Sequence, residues 1–182
     1  MTAVRRFLDR LKYHDSAKTV FCRLKHDGLR LATAESLTGG MIAQAITAIP
    51  GSSDVFWGGL VSYSIEAKKR LLSVPGSVIE EYGVVSRETA AAMARGALDA
   101  SDADVSVAVT GVAGPSGGSD AISVGTVWMA VAFRPTIAAS GATETAVSVE
   151  TLRNYVRGSR HRERSVTDRE PIRLILDYNE RR

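Results

Sequence analysis

Cysteine is nearly missing from this chain: Cys22 stands alone, so no internal disulfide can form, which fits a reducing cytoplasm. Long apolar runs are missing too, and none reaches the ~18–20 residues that a membrane span needs. The opening MTAVRRFLDRLKYHDSAK lacks the apolar centre of a signal peptide, and Asp9 and Asp15 argue against a transit peptide. Histidine is scarce. His14, His26 and His161 all stand away from the ends of recognisable core strands, which leaves a Ser-His-Asp triad little support. No Cys/His cluster offers a metal site, and no cofactor is expected. Charge of one sign is also weak, with a formal net charge of only +3. There is no internal repeat and no low-complexity linker.

What is present suits a globular domain. The 182 residues are 45% hydrophobic and 24% charged, enough for one domain with a single core. Residues 1–15 read as an N-terminal extension with Val4, Phe7, Leu8 and Leu11 at helical spacing, and 16–182 as the domain. A helix over Ser16–His26 ends at Gly28, and a strand over Leu29–Thr33 follows. Met41–Ile49 is helical, and Pro50-Gly51 turns the chain into a strand over Phe56–Tyr63. Ser64 caps a helix reaching Leu72, Pro75-Gly76 marks another turn, and Ser86 caps a longer helix. In that helix Ala90, Met93, Ala94, Ala97 and Leu98 form one apolar stripe. Asp104–Thr110 alternates as a strand, Val124–Phe133 is apolar enough for a central strand, and Thr143–Val149 reads as a strand nearer an edge. Strands interleaved with helices predict a three-layer α/β/α domain with a mixed or mostly parallel sheet.

Arginines crowd residues 153–173, interleaved with Glu163, Asp168 and Glu170 in a helical pattern that Pro171 interrupts. They read first as a solvated face laced with ion pairs and second as a source of one or two anion-binding side chains. Nucleic-acid binding has the least support, since no reading motif or aromatic platform accompanies the charge.

Two glycine-bearing loops follow strands. TAESLTGG at 33–40 delivers Ser36 to a strand's carboxyl end, and Gly39-Gly40 opens the next helix. Open α/β sheets bind ligands at that edge, and a helix N-terminus offers N–H groups to anions. The segment is neither a Walker A loop, nor a dinucleotide fingerprint, nor a nucleophile elbow. Read alone, Ser36 is as well explained as a helix cap. The second loop, TGVAGPSGG at 110–118, is rich in exposed amides that suit a phosphate or a developing oxyanion. A nucleophilic serine needs a base, and Lys68, one helical turn past Tyr63-Ser64, is the lysine placed to supply one if burial depresses its pKa. By position alone it reads first as a solvated helix residue and only second as a base, and Lys69 points elsewhere.

Together the segments TAESLTGG (33–40), PGSSDVFWGGLVSYS (50–64), EAK (66–68), LLSVP (71–75), YGVVS (82–86), VAVTGVAGPSGG (107–118) and VGTVW (124–128) resemble the C-terminal domain family of the competence/damage-inducible protein CinA. The resemblance covers roughly residues 16–150, and its stand-alone members include nicotinamide-nucleotide amidases. It implies hydrolysis of the carboxamide of nicotinamide mononucleotide to nicotinic acid mononucleotide and ammonia. On that resemblance Ser36 is the nucleophile, Lys68 the general base, and Tyr63 an aid to proton transfer. Glu35, Thr38, Gly39, Gly40, Thr110, Gly111, Gly114 and Arg160 are the expected substrate contacts. Leu37 stands where the family usually has Cys, Ile65 where it has Asn, Ile122-Ser123 where it has Lys-Pro, and Ser159 where it has Asp. Other readings are a nucleotide-binding or regulatory module with weak turnover, and a nucleic-acid-associated protein. The expected partner is a small nucleotide, with no membrane, and a homodimer is the default assembly.

Overall fold

The computed structural model describes residues 13–134 and 148–155. The expected turn over Val4–Leu11 and the tail beyond Tyr155, including Arg160 and Pro171, lie outside them. Ten elements follow in order: α1 (Tyr13–Asp27), β1 (Leu31–Glu35), α2 (Met41–Thr47), β2 (Phe56–Val61), α3 (Ile65–Leu72), α4 (Gly76–Tyr82), α5 (Arg87–Asp99), β3 (Val105–Gly111), β4 (Thr126–Phe133) and β5 (Ser148–Tyr155). A short 3-10 turn at Ser52–Asp54 leads into β2. Both expected serine caps are present: Ser64 Oγ accepts from the Ala67 amide at 3.0 Å and Ser86 Oγ from the Thr89 amide at 3.1 Å.

The five strands form one mixed sheet in the order β2-β1-β3-β4-β5. The first three are parallel, and β4 and β5 run antiparallel. The apolar Val127–Phe133 run is therefore internal, with β5 beyond it as the edge. β1 begins two residues later than the expected Leu29–Thr33 and runs to Glu35. Pro75-Gly76 opens a seven-residue helix, α4, instead of being only a turn. Of the expected strand Thr143–Val149 only Ser148 and Val149 are among the described residues; they open β5, which continues to Tyr155, so Arg153 lies in a strand and sits 5.9 Å over the Trp128 ring.

Strand alternation makes two unlike faces. Val105, Val107 and Val109 of β3 point with Leu31 toward Ala17, Val20 and Leu24 of α1 and Ile42 and Ile46 of α2. The other face is small: Ala32, Ala34, Ala108, Ala130 and Ala132 meet Ala90, Met93, Ala94, Ala97 and Leu98 of α5. The predicted stripe of α5 is completely buried there. Ser106, on the small face, donates to the Ala94 carbonyl at 2.6 Å, which removes the cost of burying its hydroxyl. The result is a sheet between two helical layers. Among the described residues no helix is long and apolar enough to cross a membrane.

The strand order also fixes where a ligand would enter. From β1 the chain passes through α2 to β2 on one side, then returns through α3, α4 and α5 to β3 on the other. The two loops leaving β1 and β3 therefore part at β1's carboxyl end, the switch point at which open α/β sheets form a crevice. Ser36 is the first residue beyond β1.

Candidate active site

Three strand ends converge on Ser36. Its amide donates to the Val109 carbonyl of β3 at 3.0 Å. On the other side the Ser62 amide, just past β2, donates to the Glu35 carbonyl at 2.8 Å. The chain then turns through Tyr63 into α3, where the Ser64 cap holds the first turn and Lys68 projects back toward the sheet. Lys68 Nζ donates to Ser36 Oγ at 2.8 Å and to the Ser62 carbonyl at 2.7 Å.

Lys68 is 0% exposed, the largest fully buried side chain among the described residues, whereas Lys69 is at the surface. Burial pushes its pKa down from 10.5 to about 8, because a charged ammonium has lost its water there. No acidic side chain pairs with it among the described residues. Near neutral pH a usable fraction of Lys68 is therefore the free amine, able to accept the proton of the hydroxyl it touches. A serine backed by such an amine has the makings of a nucleophile.

Ser36 opens onto a cleft of about 260 Å³ whose wall includes Leu37, Tyr63, Val84, Thr110, Gly111 and the loop residues Val112, Ala113, Ser116 and Gly117. Lys68 lies behind Ser36 and is not part of that wall. The two glycine-bearing loops thus meet across one crevice, as their placement after neighbouring strands requires. Tyr63 is 60% exposed at the rim, and Ile65 beside it is also exposed. Thr110 contributes to the wall, but its hydroxyl donates to the Val84 carbonyl at 2.8 Å.

Glu35 has a different environment from the one expected of a substrate contact. It is 1% exposed, and its carboxylate accepts from the amides of Gly40 (3.0 Å), Ile42 (3.1 Å) and Ala43 (2.8 Å). The anion that the start of α2 attracts is thus an internal one. Gly39 and Gly40 have φ of 62° and 99°, left-handed values that let the turn close onto the carboxylate. Thr38 is buried and Gly114 precedes Pro115 in the second loop; like Glu35, Gly39 and Gly40, neither is part of the cleft wall among the described residues. Arg160 is outside the described residues.

A family model for the CinA C-terminal domain matches residues 13–161. The chain belongs to the CinA C-terminal domain family. A CinA-like protein of Geobacter metallireducens is 44% identical over 154 residues, 84% of this chain and 34% of its own length. One from Akkermansia muciniphila is 54% identical over 117 residues, 64% of this chain and 28% of its own. The chain thus spans about a third or less of the length of these curated relatives. Solved structures match over nearly their whole length. The competence/damage-inducible protein CihA of Agrobacterium tumefaciens superposes with a TM-score of 0.81 at 37% identity, covering 92% of this chain and 95% of that one. A competence damage-inducible protein A of Klebsiella pneumoniae gives 0.82 at 32%, covering 92% and 96%.

In this CinA domain the sequence reading missed Val84 in the cleft wall and, behind it, Ser62. Ser62 positions Lys68 through its main-chain carbonyl, a role that any residue type performs and that therefore leaves no trace in composition. Among the described residues no group of three or more His, Cys, Asp or Glu side chains comes together as a metal-ligating cluster. His26 lies at the end of α1 against Asp27.

Proposed function

We propose that the chain is an amidohydrolase that converts nicotinamide mononucleotide to nicotinic acid mononucleotide and ammonia, with Ser36 as nucleophile and Lys68 as general base. One observation carries this reading: a fully buried lysine amine, with its pKa lowered to about 8, stands 2.8 Å from a serine hydroxyl at the sheet's switch point. Neutral Lys68 takes the Ser36 proton as Oγ attacks the carboxamide carbon. Negative charge then develops on the carboxamide oxygen. The amides of Ser36 and Val112 are already bonded to Val109 and Thr126 carbonyls. The Leu37 amide, next along the cleft wall, has no acceptor among the described residues, and we assign the oxyanion to it.

The intermediate collapses when the Lys68 ammonium returns its proton to the departing nitrogen, with Tyr63 at the rim assisting. Ammonia leaves and an ester of Ser36 remains. Water, deprotonated by the same amine, then cleaves that ester to the acid and restores Ser36. The nucleotide's phosphate falls to the amides of the 110–118 loop or to an arginine, because Glu35 fills the start of α2.

Ammonia release from nicotinamide mononucleotide, measured for the wild type beside Ser36→Ala and Lys68→Ala, tests the reading. Release by the wild type alone is expected. Substrate binding with no more release than Ser36→Ala overturns the amidase and leaves a nucleotide-binding module.

A further inference from the structure

Glu35 occupies an unusual place for a buried carboxylate. It precedes Ser36 directly, yet its side chain bonds to the far end of the same turn, through the amides of Gly40, Ile42 and Ala43. Its main-chain carbonyl meanwhile accepts from the Ser62 amide, and Ser62 in turn holds Lys68 through its own carbonyl. One residue therefore ties three things together: both ends of the turn that carries Ser36, and the strand end that carries the lysine's second acceptor. Thr33 Oγ1 adds a long contact to the carboxylate at 3.4 Å from the strand side.

Resting on the Ser36–Lys68 reading above, we infer that Glu35 is a positioning residue: its carboxylate fastens the 36–40 turn to α2 and so fixes Ser36 Oγ against Lys68. The chemistry of the clamp is specific to a carboxylate. Both oxygens accept, Oε2 from Gly40 and Ile42 and Oε1 from Ala43. An amide side chain offers one acceptor and turns an NH2 group toward backbone N–H groups, so Glu35→Gln keeps the size and breaks half of the clamp. The turn then keeps the Ser36 amide bond to the Val109 carbonyl and half of its tie to α2. A displacement of Ser36 by a fraction of an ångström weakens its contact with the amine, while the cleft wall that meets substrate is formed mainly by other residues.

The closing experiment reads Ser36 itself. The rate at which phenylmethylsulfonyl fluoride modifies Ser36, followed by intact mass, is compared for the wild type, Lys68→Ala, Glu35→Gln and the core variant Val20→Ala, all well below their melting temperatures. Ammonia release provides kcat and KM for the same proteins. Glu35→Gln is expected to slow labelling and kcat by about tenfold or more, with KM within about twofold of wild type. Val20→Ala, which loses packing on the α1 layer, is expected to label like the wild type. If Glu35→Gln does not fold, Gly40→Ala loosens the same turn by placing a side chain at φ 99°, and the same split is expected. Labelling of either turn variant at the wild-type rate, or no slower than Val20→Ala at matched stability loss, overturns the positioning role. A wild type whose Ser36 reacts no faster than in Lys68→Ala overturns the nucleophile reading itself, and the positioning role with it.

Discussion

At Lys68 two demands of the chain conflict. A lysine ammonium is normally kept in water, yet this one is completely buried and its polar contacts are a hydroxyl and a carbonyl. Those contacts accept hydrogen bonds from it without supplying an opposite charge, which is why burial governs its pKa. The free amine is the reactive form, so activity should rise as the lysine deprotonates. We expect kcat/KM for ammonia release to climb with pH and level off above about 8. A pH–rate profile of the wild type checks this, and a flat profile between pH 6 and about 9 contradicts it. Lys68→Ala should lose roughly 10²–10⁴-fold of the rate, with no rising limb in that range, and Ser36→Ala should lose all measurable release. The residue scale also explains what the sequence could not display. Ser36 and Lys68 are legible as a serine after a strand and a lysine after the next one. Whether Lys68 faces solvent or Ser36 depends on how far α3 tilts over the sheet, and no local pattern carries that. Glu35 shows the converse: its neighbours in TAESLTGG suggest ligand contact, while its carboxylate is already claimed by α2.

Among the elements, α5 and α3 meet so closely that one glycine decides the contact. A Cβ at Gly96 would lie 1.8 Å from the Leu72 carbonyl oxygen, which belongs to backbone and cannot swing aside. Gly96→Ala gains helix propensity of about 1 kcal/mol but must push α3 away from α5, a strain that overpacking places at roughly 1–3 kcal/mol or more. A net loss of stability is expected, read as a lower urea midpoint at unchanged slope. Because α3 carries Lys68, the same variant should also slow ammonia release; a variant with wild-type stability and rate contradicts both expectations. The elements themselves were largely readable. Val105, Val107 and Val109 alternate, Ser64 and Ser86 cap, and the five-residue stripe of α5 repeats, all of them local signals. What was not readable depended on partners. Gly76–Tyr82 is only seven residues long, with Ile79 its one buried side chain, too little for a helical period to show. The strand β5 continues past Val149 to Tyr155 alongside β4, and its apolar residues Val149, Leu152 and Tyr155 do not alternate in a way that marks a strand.

For the whole molecule, the buried amine links function to stability. In the unfolded chain Lys68 has its ordinary pKa of 10.5, and in the folded domain about 8. A lowered pKa means that the unfolded state binds the extra proton more readily throughout the interval between them. Stability from this group therefore rises with pH: protonation opposes folding below about 8, and the opposition fades as pH approaches 10.5. The full difference corresponds to roughly 3 kcal/mol, a sizeable part of a domain's usual 5–15 kcal/mol. Lys68→Met fills similar space without a titrating group, though it leaves the Ser62 carbonyl and Ser36 hydroxyl short of a donor, which costs about 1–3 kcal/mol at every pH. Subtracting that constant leaves a distinctive signature. The unfolding free energy of the wild type minus that of Lys68→Met should increase steadily between pH 8 and 10.5, by up to roughly 3 kcal/mol. Urea denaturation of both proteins across that range measures the difference directly, and other titrating groups cancel because the two chains share them. A difference that stays constant would mean that Lys68 is as easily protonated in the folded domain as in the unfolded chain. It would then be a poor base for Ser36 at neutral pH, and the catalytic reading would lose its physical ground along with the stability cost.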